Sequence, residues 1–278
     1  MAGAFHSLPG SATLASVNIS AGTLSMLLVL SSVGSTVASS TDRAPILDWK
    51  EVSRRAHDST AYTQGLVLDD SGRLFESTGR WGSSSVREVD AATGEVVRSE
   101  ALPDEWFGEG LALVDGDLIG LTWKAGVAVR RDADTFAPID RYRYEGEGWG
   151  LCFDGERLIM SDGSHTLQFR DADTFAAIGS VDVTLDGELL DELNELECVD
   201  GSVWANVWRS DAIVRIDPAH GRVTGVLDMR GLIEPHPAES DRGAVLNGIA
   251  WDGTAGTFLV TGKYWPELIE IRVDEPGT

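Results

Sequence analysis

Ten side chains stand at the ends of short apolar segments that recur along the chain. Five directly precede such a segment: Gln64, Glu109, Trp149, Asn194 and Asn247. Five follow the next apolar segment of each recurrence: Thr78, Trp123, Asp162, Trp208 and Lys263. Brought together, they would supply two carboxylates, a hydroxyl, a lysine amine, three amides and three indole rings. An apolar pocket with a few convergent polar groups is the usual form of a small-molecule site.

The recurrence is an internal repeat with two parts. The first part, an apolar alternation that ends in a turn, occurs at 64–70, 109–116, 149–155, 194–201 and 247–253. Its aligned aliphatic residues, from Leu66 to Ile249, are 45, 40, 45 and 53 residues apart. The second part places an Asp and turn-forming residues between two strands; it occurs at 86–94, 129–136, 169–175 and 214–221. Each copy therefore predicts about four short strands.

Four strands in a repeat of this length predict one blade of a β-propeller. Five copies predict an all-β, five-bladed propeller. The fifth copy supplies only three strands, at 249–252, 257–261 and 268–273. Residues 45–53 are the natural donor of a fourth strand, which would remove an open sheet edge. The alternative all-β fold, a sandwich, predicts no regular period.

The propeller explains why the ten side chains would meet. Because the first strand of each blade lines the central channel, residues that precede first strands lie near one rim, and second strands end near the same rim. A purely structural explanation stays open, since tryptophans fill gaps between blades and polar residues cap strand ends. A binding site is favoured by the single acid among the five residues that precede first strands, Glu109, and by Lys263, one of only three lysines in the chain.

Composition excludes several classes of protein. The chain has 22 Lys and Arg against 45 Asp and Glu, a formal net charge of −23. This argues against nucleic-acid binding, which needs a basic footprint. The 42% of hydrophobic residues, 31 Gly, 9 Trp and 24% of charged residues together exclude a coiled coil, a collagen and a disordered chain. Acidic, lysine-poor surfaces are typical of halophilic proteins. We interpret the charge as an adaptation for solubility, with an acidic binding face as the alternative.

Residues 22–38 are the sustained apolar stretch of the chain, and small residues around Ala38 suit a cleavage site. The stretch matches a signal-peptide core and is short for a spanning helix, although residues 1–21 contain no Lys or Arg. We predict a signal peptide or anchor within residues 1–43, export, and a propeller over residues 44–278. A disordered extension on a cytoplasmic protein is the alternative.

Cys152 and Cys198 occupy the same register position in neighbouring copies of the repeat. We expect two buried free thiols, since cysteine is often a small core residue; a bridge between them would favour export. The five histidines show no metal-ligand spacing, so no zinc site is predicted.

The sequence resembles the plant- and bacterial-type glutamine cyclotransferases over roughly residues 50–273. Ten short motifs occur in the family's order: 63–66 (TQGL), 76–79 (ESTG), 107–111 (FGEGL), 121–124 (LTWK), 146–151 (GEGWGL), 161–163 (SDG), 193–197 (LNELE), 205–208 (ANVW), 246–250 (LNGIA) and 261–266 (TGKYWP). Tyr62 departs from the family, where Phe is common, and the two cysteines are not family features.

The resemblance implies a five-bladed propeller that converts an N-terminal glutaminyl residue to pyroglutamate and releases ammonia, with no cofactor and no catalytic metal. The family's pocket residues correspond to Gln64, Glu109, Trp123, Trp149, Asn194, Trp208 and Lys263, with Tyr62 and Phe107 nearby. We expect a monomer that acts on peptides or proteins with N-terminal glutamine and contacts neither nucleic acid nor, beyond an N-terminal anchor, a membrane.

For that reaction we predict Glu109 as the proton shuttle. Lys263, Asn194 and Gln64 are candidate donors to the oxyanion, and the three tryptophans would fold the flexible substrate onto its own amine. Two alternatives remain, because fold alone does not decide function. They are a non-catalytic propeller that binds a peptide or protein, and a lactonase-like propeller hydrolase, which usually needs more carboxylates around a calcium ion than this ring offers.

Overall fold

The computed structural model describes residues 43–232 and 243–274, which form strands β1 to β22. In these ranges no helix is long and apolar enough to cross a membrane. The predicted leader within residues 1–43 lies, apart from Arg43, outside the described residues.

Five sheets, antiparallel in their four main strands, form the five predicted blades. Blade 1 contains β2 (Thr63–Leu68), β3 (Leu74–Thr78), β4 (Ser85–Val89) and β5 (Val96–Ala101). Blade 2 contains β6 (Gly108–Val114), β7 (Asp117–Thr122), β8 (Val127–Asp132) and β9 (Pro138–Arg143). Blade 3 contains β10 (Leu151–Phe153), β11 (Arg157–Met160), β12 (Thr166–Asp171) and β13 (Ala177–Asp182). The five-bladed, all-β prediction is confirmed.

Blade 4 carries one addition to the four-strand pattern. Its main strands are β16 (Leu193–Val199), β17 (Ser202–Val207), β18 (Ala212–Asp217) and β19 (Arg222–Asp228), and the small hairpin β14 (Thr184–Leu185) and β15 (Glu188–Leu189) extends its outer edge. The pairing of β14 with β19 is parallel. The repeat pattern did not predict this hairpin.

Blade 5 combines the two ends of the described chain. It contains β20 (Leu246–Asp252), β21 (Thr257–Gly262), β22 (Glu267–Val273) and, on the outside, the N-terminal strand β1 (Trp49–Ala56). The predicted closing strand is therefore present, but it begins at Trp49 and not at residue 45. The residues before it pair elsewhere, because Ile46 bridges to Val226 of blade 4.

The core consists of five clusters of buried side chains, one between each pair of adjacent blades. For example, Leu66 and Leu74 of blade 1 pack with Leu259 and Leu268 of blade 5, as the two ends of a closed ring require. The repeated Asp of each copy shapes an outer turn: the carboxylate of Asp132, for instance, accepts the backbone N–H of the residue three positions later at 2.7 Å. Such side-chain bonds explain why Asp recurs there.

Glycines at the repeat's second position let inner strands approach each other at the axis. A Cβ on Gly110 would lie 2.6 Å from the backbone nitrogen of Leu151, and one on Gly150 would clash with the carbonyl oxygen of Asn194. The fourth copy carries Glu195 at this position. Its buried carboxyl group accepts the backbone N–H of Ile249 at 2.8 Å and so links blade 4 to blade 5.

Cys152 and Cys198 form a disulfide with a Cα–Cα distance of 5.5 Å. The expectation of two free thiols is therefore wrong. The bridge joins β10 of blade 3 to β16 of blade 4, because the shared register position places both side chains in the interface between these blades. Of these two strands, β10 follows Trp149 and β16 carries Asn194.

Candidate active site

The predicted site residues lie where inner strands begin and second strands end. Four open or precede inner strands: Gln64 of β2, Glu109 of β6, Trp149 before β10 and Asn194 of β16. Three directly follow β7, β17 and β21: Trp123, Trp208 and Lys263. The side chains come from all five blades, so the closed ring is what assembles them.

These residues surround a cavity of about 280 Å³. Its wall contains all nine residues predicted from the sequence: Tyr62, Gln64, Phe107, Glu109, Trp123, Trp149, Asn194, Trp208 and Lys263. Arg80 and Trp81 also line it, whereas the other rim residues Thr78, Asp162 and Asn247 do not. The volume is at the small end for ligand sites, so the cavity suits the end of a peptide better than an internal segment.

Glu109 and Lys263 are the buried acid and the buried amine of the wall, with 4% and 3% of their surface exposed. Burial raises the pKa of Glu109 well above its usual value; the charge of Lys263 opposes this rise and that of Glu147 adds to it. Burial lowers the pKa of Lys263 to about 8, although Glu109 acts in the opposite direction. Groups with such shifted pKa values, facing one cavity, are suited to proton transfer near neutral pH.

Gln64 lies beside the carboxyl group of Glu109. Its side chain faces Glu109 and opposes the rise of that carboxyl group's pKa, and its Oε1 accepts a hydrogen bond from Asn247 Nδ2 at 3.3 Å. Asn247 is in turn fixed by a bond to the backbone oxygen of Thr63 at 2.9 Å. From the sequence we predict Gln64 as an oxyanion donor, whereas in the structure its amide already faces the acid.

Asn194 places an unpartnered polar atom in the wall. Its side chain is buried, and its Oδ1 has no hydrogen-bond partner in the described chain. Its backbone oxygen is held by Ser161 Oγ at 2.6 Å. A buried oxygen without a partner costs free energy, so the Asn194 amide is a natural point for a ligand's N–H group.

The aromatic walls are fixed by a carboxylate outside the cavity. Trp149 and Trp208 meet edge to face, with ring centroids 5.3 Å apart. Glu147 Oε2 accepts hydrogen bonds from Trp123 Nε1 at 2.6 Å and from Trp149 Nε1 at 3.0 Å. One side chain thus sets the orientation of two indole rings.

Arg80, Trp81 and Glu147 are functional candidates that the repeat did not indicate. All three lie in connections between strands, where the copies differ in length and register, so alignment of the repeat does not select them. The sequence does contain a signal that could have indicated Glu147 as a site residue: it is an acid two residues before Trp149 within the 146–151 motif.

A buried polar network supports the strand that carries Gln64. Glu76 accepts a hydrogen bond from Thr63 Oγ1 at 2.6 Å and lies 3.2 Å from His57 Nε2. Burial alone would raise the pKa of Glu76, but the contacts with His57 and other partners outweigh it and hold that pKa at about 2. His57 Nδ1 lies 2.8 Å from the backbone oxygen of Trp265, which ties the network to the connection after β21.

Comparison with known proteins gives a consistent result. The family model described as glutamine cyclotransferase matches residues 24–273. A glutaminyl-peptide cyclotransferase from Arabidopsis thaliana is 39% identical over 226 residues, which are 81% of this chain and 71% of that protein. The crystal structure of Myxococcus xanthus glutaminyl cyclase is 38% identical, with a TM-score of 0.76 over 83% of this chain and 98% of that one. The resemblance seen in the sequence is confirmed, and the chain belongs to the glutamine cyclotransferase family.

Proposed function

We propose that this enzyme is a glutaminyl-peptide cyclotransferase, which converts the N-terminal glutaminyl residue of a peptide or protein to pyroglutamate and releases ammonia. Family membership supports the activity. The observation that carries it in this chain is the pairing of buried Glu109 and Lys263 in one small, tryptophan-walled cavity. In the described chain the two groups do not touch as an ion pair, which leaves space between them for a reacting group.

Glu109 acts first as a general base. The substrate's α-amine attacks the carbon of its own side-chain amide, and the amine must lose a proton as the carbon–nitrogen bond forms. The Glu109 carboxylate takes that proton and then delivers it to the amide nitrogen, which leaves as ammonia when its bond to carbon breaks. A raised pKa suits both steps, because one group must accept and then release a proton near neutral pH.

Lys263 and the side-chain N–H groups of Asn194 stabilise the negative charge that develops on the amide oxygen. In a dry pocket, fixed donors of this kind lower the barrier far more than they would in water. Lys263 must carry its proton for this role, and its pKa of about 8 keeps it largely protonated at neutral pH. We assign Gln64 to orientation of the base, since its side chain already faces Glu109.

The indole rings of Trp123, Trp149 and Trp208 enclose the substrate's methylene groups. An extended glutamine side chain keeps its amide away from the α-amine, so confinement in a small cavity brings the reacting atoms together. Ordering of this type accounts for a large share of the acceleration in intramolecular reactions.

The test is incubation of the protein with a glutaminyl dipeptide amide while ammonia and the pyroglutamyl product are measured. An N-acetylated copy of the same peptide is the matched control, because its blocked amine cannot attack. We expect ammonia from the free peptide alone. Equal release from both peptides would indicate a simple hydrolase, and binding without release would indicate a non-catalytic propeller.

We also propose that the enzyme is exported. The Cys152–Cys198 disulfide supports this, because disulfides persist in oxidising compartments, and so does the signal-like sequence at 22–38. Thiol titration of denatured, unreduced protein purified from its native compartment should find no free thiol. Two titratable thiols would count against both the bridge and the export proposal.

A further inference from the structure

Besides Lys263 of the wall, whose Nζ lies 4.8 Å from the Tyr62 ring centroid, three cations stack on aromatic rings that line the cavity. Arg80 lies over Tyr62 with its Cζ 3.9 Å from the ring centroid. Arg209 lies over Trp208 at 4.0 Å, and Lys124 Nζ lies over Trp123 at 4.0 Å. Because all three rings belong to the cavity wall, these positive charges surround its mouth, on a protein whose formal net charge is −23.

The two arginines differ from Lys124 in having no anionic partner. Lys124 Nζ is paired with Glu147 at 3.2 Å. In the described ranges neither Arg80 nor Arg209 contacts a carboxylate, although carboxylates outnumber basic residues two to one. Arg54, by contrast, pairs with two acids within 2.8 Å. The mouth therefore retains uncompensated positive charge.

Arg80 is also held in place. Its Nε donates a hydrogen bond to Tyr264 Oη at 2.7 Å, and the stacking on Tyr62 fixes the plane of its guanidinium group. The terminal nitrogens have no acceptor within the described chain. A fixed guanidinium with free N–H groups binds carboxylates well, because its planar donors match the two oxygens and little conformational entropy is lost.

A substrate residue that follows the N-terminal glutamine must pass this mouth, since the cavity has room only for the end of the peptide. The positive charge of Arg80 also affects the inner wall. Together with burial, it lowers the pKa of Lys263. Burial raises the pKa of the Tyr62 hydroxyl, and the positive charges of Arg80 and Arg209 both oppose this rise. The two guanidinium groups therefore border the same opening.

We propose that Arg80 and Arg209 form a subsite for a carboxylate that the substrate carries just after its N-terminal glutamine. The proposal rests on the cyclotransferase activity proposed above and adds a substrate class, peptides with an acidic group next to the reacting residue. The carboxylate has two sources, an acidic side chain at the second position or the free C-terminus of a dipeptide. Both present the same chemistry to the arginines.

The experiment compares kcat/KM for four substrates: glutaminyl-glutamate amide, glutaminyl-alanine amide, glutaminyl-lysine amide and glutaminyl-alanine with a free carboxylate. Partly exposed charge pairs contribute modestly, so at low salt we expect the glutamate peptide to exceed the alanine amide by about three- to tenfold. The lysine peptide should be poorest. A preference for the free acid over its amide, without one for the glutamate side chain, would assign the subsite to the C-terminal carboxylate.

Arg80→Gln and Arg209→Gln should each lower the glutamate-to-alanine ratio, and the double variant should bring it near one. The ratio is the readout because it cancels a general loss of activity in either variant. Arg141→Gln is the matched control, since Arg141 also lies over a tryptophan, Trp106, at 5.5 Å, but does not line the cavity. Its ratio should stay at the wild-type value.

Two results would overturn the proposal in distinguishable ways. If the wild-type enzyme cyclises the alanine amide but shows a ratio of one for both acidic peptides, the subsite is absent and the activity stands. If no glutaminyl peptide reacts, the proposed function fails together with the subsite. If the glutamate-to-alanine ratio stays above one in the double variant, the preference for an acidic substrate does not come from Arg80 and Arg209.

Discussion

Glu109 and Glu147 show how two carboxylates at one site can have different roles. Glu109 is buried in the wall, where it can exchange protons with substrate. Glu147 is partly exposed, lies behind the wall and acts on the site through two indole N–H groups and through its charge. We therefore treat Glu147 as a positioning residue.

We expect Glu147→Gln to shift the acid limb of the kcat profile to lower pH, by about half a pH unit. The negative charge of Glu147 helps to raise the pKa of Glu109, so its removal lowers that pKa and the base is available at lower pH. Glutamine keeps an acceptor for the indoles, and kcat at the optimum should change little. Substrate ionisation is common to both enzymes and cancels in the comparison.

Glu145→Gln is the control for that experiment, because it removes an exposed carboxylate two residues away. It should leave the profile in place. An unchanged acid limb in Glu147→Gln would mean that Glu147 has no electrostatic effect on the base.

At the residue scale, the sequence predicts the cavity wall well wherever the repeat sets the register. Glu109 and Asn194 hold equivalent positions in the second and fourth copies, so one alignment places both. Arg80 and Glu147 lie in connections whose lengths differ from copy to copy, so the repeat does not fix their positions. The amide of Gln64 illustrates a second limit, because hydrogen-bond partners depend on side-chain positions that spacing does not determine.

At the element scale, the distance between inner strands decides how closely the wall residues meet. Gly110 lies where β6 passes the start of β10, and its N–H binds the Trp149 carbonyl oxygen at 2.7 Å. There is no room for a side chain, since an added Cβ would lie within 2.7 Å of the Gly150 backbone. The repeat's glycine is thus a requirement of blade packing.

Gly110→Ala should destabilise the fold by about 1–3 kcal/mol, as other overpacked sites do, and should reduce activity by moving Glu109 relative to Trp149. Gly120→Ala in β7 is the matched control, because its Cβ would meet only a Leu111 methyl group at 3.5 Å, an ordinary contact. Denaturant unfolding and kcat should be measured for both. Equal stability of the two variants would contradict the packing explanation.

The ends of the chain show where element prediction failed. The sequence predicts a closing strand from residue 45, but β1 begins at Trp49. An outer strand exposes one face to solvent and carries no clear apolar alternation. Where it begins therefore depends on which backbone groups of the neighbouring strands have no partner. The bridge between Ile46 and Val226 uses the preceding residues instead.

At the scale of the whole molecule, the regular repeat was enough to predict the ring, because five equivalent units must each cover their apolar faces with a neighbour. The five interface clusters agree with this. The disulfide could not be predicted in the same way. A shared register position is compatible with two free thiols as well as with a bridge between Cys152 and Cys198.

The net charge leads to a prediction for the whole fold. We expect the melting temperature to rise clearly from low to molar salt, because screening reduces repulsion among the excess carboxylates. Surface ion pairs weaken in salt too, but each contributes little. Thermal melts of the processed domain test this directly, since Asp42 and Arg43 cancel and the leader adds no net charge. A flat melting temperature would contradict both the repulsion and the halophilic interpretation.

The most direct test of the central claim is the turnover of Glu109→Gln on a glutaminyl dipeptide amide at the wild-type optimum pH. The substitution keeps the shape of the side chain and removes the base, so kcat should fall by about 10²–10⁴-fold. Binding of a non-cyclising analogue should change much less, because the tryptophan walls remain. Asp162→Asn, at a rim acid outside the cavity, should retain wild-type turnover. A folded Glu109→Gln enzyme that keeps most of its activity would contradict the assignment of Glu109 as the proton shuttle.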